Sequence, residues 1–418
     1  MSQQELEDYI SWLLNFKNNI QSQNATGVSN SLSFMEYINE LDKVPDYSTA
    51  VERLYPKKVF DSTEPKLKGK DAYTKIVTAY IHLISCLKSA NIVGAIENSM
   101  EMVNSFVKCA QYETTWICVP LITVSTELRK LVFTYIETVD LEDKKTDTSS
   151  LPLDEKLIAT LQKPFKVCHT DKSGSKKIAV YFFANELFKC YFKFQKYEAA
   201  SNLAKVLSKD MNLPPVEDAP KSHSVNYNYY TSLIACMNDD LSLAGDLLTT
   251  ALTNCLTSST RNQEAIAILL LPINFLTKHI LPSEKMWEKY PRMSVFREPF
   301  DALKVGDLQS FDRSLGELQS LLLNKKVYSM YLRMRPFVEL SLIRRTYKYG
   351  LENNTNQVKL ELFVKSFSVS SGREYTLDEV ESRLVNLIWS GHVKGYISHA
   401  NRVIVLSKTE PFPKLVKK

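Results

Sequence analysis

The sequence predicts a mainly α protein, a TPR-like helical-repeat solenoid capped by a C-terminal winged helix. Three observations lead there. Gly and Pro are scarce, 11 and 16 in 418 residues, which argues against a sandwich, a barrel or a disordered chain. From Ala72 to Leu321 apolar residues recur at helical spacing between short polar joints, with hardly a strand-like run. Thr376 to Pro413 then read as a helix followed by a small β-hairpin.

Taken in order, residues 1–70 form an N-terminal helical cap. Helices are expected at Glu5 to Asn19 and near Ser33 to Leu41, followed by a mixed stretch holding Pro45, Pro56 and Pro65. Residues 71–260 form the helical-repeat region. Three joints look alike: Phe194 to Ala200, Met237 to Ala244, and Val305 to Phe311. Each sets a short polar turn before an apolar residue, as where one helix of a hairpin hands over to the next. Tyr197 and Leu241 are 44 residues apart and Leu241 and Leu308 are 67 apart, so the solenoid is degenerate. The stripe Ala179, Phe182, Phe183, Leu187 and Tyr191, like the run Tyr229 to Cys236, reads as helix-to-helix core. Asp140 to Ser150 and Lys209 to Ser224 read as exposed connections.

A helical subdomain follows over residues 261–325, then the winged-helix subdomain over 326–413. Pro336 falls inside the first winged-helix helix and would kink it or start a new one. Thr376 and Glu379 have capping-box spacing, and Val380, Leu384, Leu387 and Ile388 give the helix one apolar face. Gly391 closes it. Lys394 to His399 and Arg402 to Ser407 are two β-rich runs separated by Ala400 and Asn401, a candidate wing.

Composition excludes several classes. No apolar run is long enough to span a bilayer. The N-terminus is polar and acidic, unlike a secretory signal, so a nuclear and cytoplasmic location is expected. The seven cysteines never form a C-x-x-C pair and read as buried thiols. There is no glycine-rich phosphate loop, no G-x-S-x-G elbow and no H-E-x-x-H pair; Asp171 to Lys176 comes nearest to a phosphate loop, with Gly174 alone. The six histidines lack short ligand spacing, and Asp239-Asp240 and Asp378-Glu379 point apart on turns or helices. No enzyme, metal or cofactor is therefore expected. Net charge is +5, but residues 301–418 hold 19 Lys and Arg against 12 Asp and Glu, and the remainder 33 against 35. The excess of positive charge is C-terminal.

From Glu264 to Pro413 the order of segments resembles a PCI domain, the module shared by proteasome-lid, signalosome and translation-initiation-factor subunits. The resemblance is carried by Leu271 to Phe275, Leu281 to Tyr290 and Phe300 to Phe311. It is stronger still over Thr376 to Val380, Leu387-Ile388, Gly395 to His399, Val403 to Lys408 and Pro411 to Pro413. Within that family the chain is similar to the branch of signalosome subunit twelve and the Thp-one mRNA-export subunit. The resemblance implies a non-enzymatic scaffold that pairs with a second PCI-domain subunit. It also implies a small acidic Dss/Sem-type partner, contact with RNA or DNA, and a place in transcription-coupled mRNA processing or export. The alternative is an architectural subunit associated with the signalosome, without nucleic acid.

One polar set could serve such a contact. Lys325, Lys326, Arg333, Arg335, Arg344, Arg345 and Lys348 lie on or near the first winged-helix helix, and Lys394, His399 and Arg402 on or beside the wing. The helix Thr376 to Ser390 opens with Asp378, Glu379 and Glu381, which repel phosphate. Backbone contact through the wing and the basic helix is therefore expected over insertion into a major groove. A solvated face or a protein contact is the other reading of the same residues.

Overall fold

The computed structural model describes residues 3–61, 69–139, 152–350 and 356–413. The expected connection at residues 140–150, and Pro65, lie outside the described residues. The fold is mainly α, and the chain divides into two compact units, Met1–Tyr230 and Thr231–Lys418. The division falls inside the Lys221–Met237 helix and is coarser than the four segments read from the sequence.

In the first unit, the opening helix Gln3–Gln21 buries Tyr9, Leu13, Phe16 and Ile20, one face at helical period. Beside that face, Trp12 stacks on Tyr80 of the Lys70–Lys88 helix with ring centroids 5.6 Å apart. Over Ser33 to Leu41, where a helix is expected, the chain forms a 3-10 helix, Met35–Lys43. Its start is held by buried Glu127, which accepts from Ser33 Oγ at 2.6 Å and Phe34 N–H at 3.3 Å. Helices Ile92–Cys109, Cys118–Val139, Leu153–His169, Val180–Lys193 and Tyr197–Lys209 follow. Phe183, Leu187 and Tyr191 are buried as the stripe predicts, with Phe182 half-buried. Lys209 to Ser224 is not wholly exposed: a short 3-10 turn, Val216–Asp218, crosses it, Pro214 accepts a bond from Tyr181 Oη at 2.7 Å, and Ala219 and Ser224 are buried. A sequence rich in proline predicts a loop but not the side chain that pins it. Cys109, Cys118, Cys168 and Cys190 are buried thiols, whereas Cys86, Cys236 and Cys255 are only half-buried.

The helix-to-helix joint is one local structure used repeatedly. Gln195, Asp239 and Gly306 have φ of 57°, 60° and 76°, and Gln23, Ala90 and Lys326 adopt the same left-handed turn. In each case the next N–H reaches the carbonyl five residues back: Asn91 to Cys86 at 2.8 Å, Lys196 to Tyr191 at 2.8 Å, Asp240 to Ala235 at 2.9 Å, Asp307 to Ala302 at 3.0 Å. The left-handed residue ends one helix, and at four of the six joints its polar successor caps the next with its side chain. Asn24, Asn91, Asp240 and Asp307 all accept from the N–H three residues on at 3.0 Å.

In the second unit, helices Leu241–Asn254, Thr260–Lys278, Arg297–Val305 and Leu308–Asn324 lead into the winged helix. Pro336 starts a new helix: a short turn, Tyr328–Leu332, ends before it, and Arg335–Gly350 begins one residue ahead of it, where a missing N–H costs nothing. Helices Leu360–Ser371 and Leu377–Trp389 complete the triad, the latter with both halves of its Thr376–Glu379 capping box formed. The expected two-stranded flap is a three-stranded antiparallel sheet. Strand β1 is Gln357–Lys359, β2 is Gly395–Ser398 and β3 is Val403–Leu406, in the order β1-β3-β2. Val358, Ile404 and Ile397 share one row across it. β1 is too short, and too polar at both ends, to show in the sequence. The wing turn spans four residues, His399 to Arg402, rather than two.

Candidate functional site

The ten basic positions lie in the second unit, in the joint after Leu308–Asn324, just past Tyr328–Leu332, along Arg335–Gly350 and on or beside the wing. Lys325 and Lys326 are exposed in the joint after Leu308–Asn324, where Lys326 carries the left-handed φ of 60°. Arg333, exposed, is ion-paired with Asp239. Arg344, Arg345 and Lys348 project from the Arg335–Gly350 helix: Arg345 donates to the Val305 carbonyl at 2.6 Å, and Lys348 is exposed. On the wing, Lys394 is paired with Glu410, and His399 Nδ1 lies 3.0 Å from both oxygens of Glu381. Arg402 is exposed with φ 54°. Several of these cations therefore already face a carboxylate. Exposed pairs of this kind contribute under about 1 kcal/mol, so their effect is local neutralisation rather than rigidity.

Arg335 is structural. Its Nε and Nη2 grip both oxygens of Asp312 at 2.9 Å each, and its Nη1 meets Glu339 at 2.6 Å, where Arg383 also arrives at 3.0 Å. Glu339 is 2% exposed. Burial pushes its carboxyl up, against the opposing pull of Arg383 and Arg335. This network joins the Arg335–Gly350 and Leu377–Trp389 helices and fixes the triad.

Arg344 does what the sequence could not show. Its guanidinium lies 5.4 Å over the Phe412 ring, burial lowers its pKa, and its Nε is buried without a hydrogen-bond partner. With Lys348 it lines a cavity of about 760 Å³ together with Lys278 and Lys304, from the Thr260–Lys278 and Arg297–Val305 helices. Of the ten predicted residues, only Arg344 and Lys348 come together here. Lys278 and Lys304 were invisible as site residues because folding, not sequence proximity, brings them close.

The nearest approach to a phosphate loop is filled from within. The Asp171 carboxylate takes Ser173 Oγ at 2.7 Å, the Lys176 N–H at 3.1 Å and Lys176 Nζ at 3.3 Å, standing where an anion would sit. Burial raises its pKa, but these donors together win and hold it below the usual carboxylate value. Among the described residues no group of His, Cys, Asp or Glu is placed to hold a metal ion, and no helix is long and apolar enough to cross a membrane.

Residues 317–408, which take in the three helices and three strands just described, match the PCI domain. A protein of Debaryomyces hansenii named as a CSN12 homolog is 35% identical over 381 residues, covering 82% of this chain and 87% of the relative. The chain belongs to the CSN12 family. A further family relative, from Eremothecium gossypii and named COP9 signalosome complex subunit 12, is 29% identical over 343 residues, 77% of this chain and 83% of its own. PCI domain-containing protein 2 of Danio rerio is 28% identical over 349 residues, 82% and 85% of the two chains. The signalosome half of the resemblance is thus found in these names, and the mRNA-export half is not.

Proposed function

We propose that this chain is an architectural, non-catalytic subunit of a signalosome-type assembly, pairing through its winged-helix unit with a second PCI-domain chain. The observation that carries this reading is the outer face of the Leu377–Trp389 helix. In a DNA-reading winged helix that face enters a groove. Here Trp389 is 90% exposed and Val385, one turn earlier, 47%, while exposed Asp378 stands at the start. An exposed indole and valine that share a helix face with an exposed acid suit a protein surface, and the acid repels phosphate. The names of the relatives support the same reading. A small acidic Dss/Sem-type chain is the second proposed partner, and nucleus and cytoplasm the proposed location.

Contact with RNA or DNA, in mRNA processing or export, is the second reading. It is favoured by exposed Lys325 and Arg402, neither of which has an ion pair among the described residues. Affinity purification of the tagged chain from its native cell decides between them. A companion PCI protein should co-purify, and Trp389→Asp should strip it away while leaving the chain folded. Recovery of RNA without such a companion, or a companion indifferent to Trp389→Asp, would overturn the proposal.

A further inference from the structure

We infer that the first unit carries a binding site for a compact anion bearing two or more phosphoryl groups, in the cavity where the Ile92–Cys109 and Leu153–His169 helices end. The cavity measures about 490 Å³. Lys163 and Lys166 line it from the second of these helices, Lys172 and Lys176 from the loop that follows, and Asp171 is the one carboxylate among its described lining residues. Four ammonium groups against one carboxylate make the wall strongly positive, and a concave wall of one sign concentrates counter-ions.

What sets these lysines apart is how little of their charge the chain uses. Among the described residues Lys166 and Lys172 are exposed and form no ion pair, and Lys163 donates at 2.7 Å to Asn104 Oδ1, a neutral acceptor. Lys176 is 7% exposed, and its ammonium, with three N–H donors, meets Asp171 alone, at 3.3 Å. Two of those donors have no acceptor among the described residues. Asp171 is itself committed to Ser173 Oγ and the Lys176 N–H, so it neutralises one lysine and not four. A helix carboxyl end attracts cations, and this accounts for Lys166 in the last turn. It does not account for Lys163, three residues earlier, or for Lys172, beyond the helix end.

Phosphoryl groups suit this wall. Each carries close to two negative charges near neutral pH and three acceptor oxygens, and lysine meets them as a point charge on a flexible stem. A volume in this range takes a small molecule. Among the described residues no aromatic side chain lines the cavity, so nucleic-acid bases find nothing there to stack on. The site lies outside the PCI match at residues 317–408, and it does not rest on the architectural reading.

Calorimetric titration of the purified full chain with tripolyphosphate, in magnesium-free buffer, tests the assignment, with inorganic phosphate and sulfate as single-anion probes. Tripolyphosphate should bind at least about tenfold more tightly than either. Lys163→Gln with Lys172→Gln should weaken it about tenfold or more, and Lys88→Gln with Lys205→Gln, exposed positions off the cavity wall, should leave it unchanged. Melting temperatures control for folding, and Lys166→Gln, also at an exposed position, replaces the first pair if that variant melts early. Phosphatidylcholine vesicles with and without a lipid bearing a doubly phosphorylated headgroup distinguish the sources of the anion. Flotation only with the phosphorylated lipid, lost in the Lys163 and Lys172 variant, assigns a headgroup; tripolyphosphate binding without flotation assigns a soluble ligand. Affinity for tripolyphosphate that is absent or no better than for phosphate, or an equal loss in both pairs of variants, would overturn the inference.

Discussion

Glu127 shows how one side chain can couple a terminal segment to the body. It is 5% exposed, yet accepts from Ser33 and from the Phe34 backbone. Burial raises its pKa, and the Ser33 hydroxyl with the N–H groups of Phe34 and Met35 only partly offsets this. A carboxyl raised in the folded state binds its proton more tightly there than in the unfolded chain. Its contribution to stability is then largest below the ordinary glutamate value of about 4.3 and falls as pH rises through the raised value. Glu127→Gln keeps an acceptor for Ser33 and removes the titration. Urea unfolding at stepped pH should show a shallower decline in stability for this variant than for the wild type, and parallel curves would refute the assignment. Nothing in the sequence around Glu127 marks it as buried, because its helix carries it inward only by packing against Ser33 and Phe34, more than ninety residues away in the chain.

The joints set the logic of each helical element. Six left-handed residues make the same turn, but only those whose neighbours were obvious, an apolar restart after a polar pair, were legible as joints in the sequence. Ala90-Asn91 and Gln23-Asn24 build the same turn from residues that carry no such signature, since any residue can be forced left-handed at a cost of about 1 to 2 kcal/mol. Gly306 is a special case. A Cβ there would meet the Leu342 backbone N at 2.5 Å and its Cα at 2.7 Å, because the joint presses directly on the first winged-helix helix. Gly391 has the same sign of φ, at 77°, and nothing within 4 Å. Gly391→Ala should therefore cost only the backbone term, about 1 kcal/mol, and Gly306→Ala roughly 3 kcal/mol, since backbone must also move. Midpoints of chemical denaturation measure both, and equal losses would mean the contact with Leu342 is readily relieved.

At the scale of the whole molecule, function turns on which charges are left for a partner. Arg333, Lys394 and His399 face carboxylates of this same chain, so the number of cations in the C-terminal third overstates how many a phosphate would meet free. Reversing Lys325, Arg345 and Arg402 together should leave whatever RNA affinity the chain has nearly unchanged, with a shallow salt slope in filter binding. A steep slope, near −0.7 per phosphate contact and lost in the triple variant, would restore the nucleic-acid reading. Helical periodicity, the Thr376–Glu379 capping box and the β-rich wing runs were local patterns, each set by neighbours a few residues apart, and so the sequence by itself determined a helical-repeat chain ending in a winged helix. Pairing is different. Which cations already face a carboxylate, that β1 joins the wing sheet, that Trp389 stands bare, and that Lys278 and Lys304 meet Arg344 and Lys348 across an apolar floor were decided only by the tertiary structure. The reason is physical: a side chain's burial and its electrostatic partners depend on contacts between residues distant in the chain, and no local pattern encodes those distances.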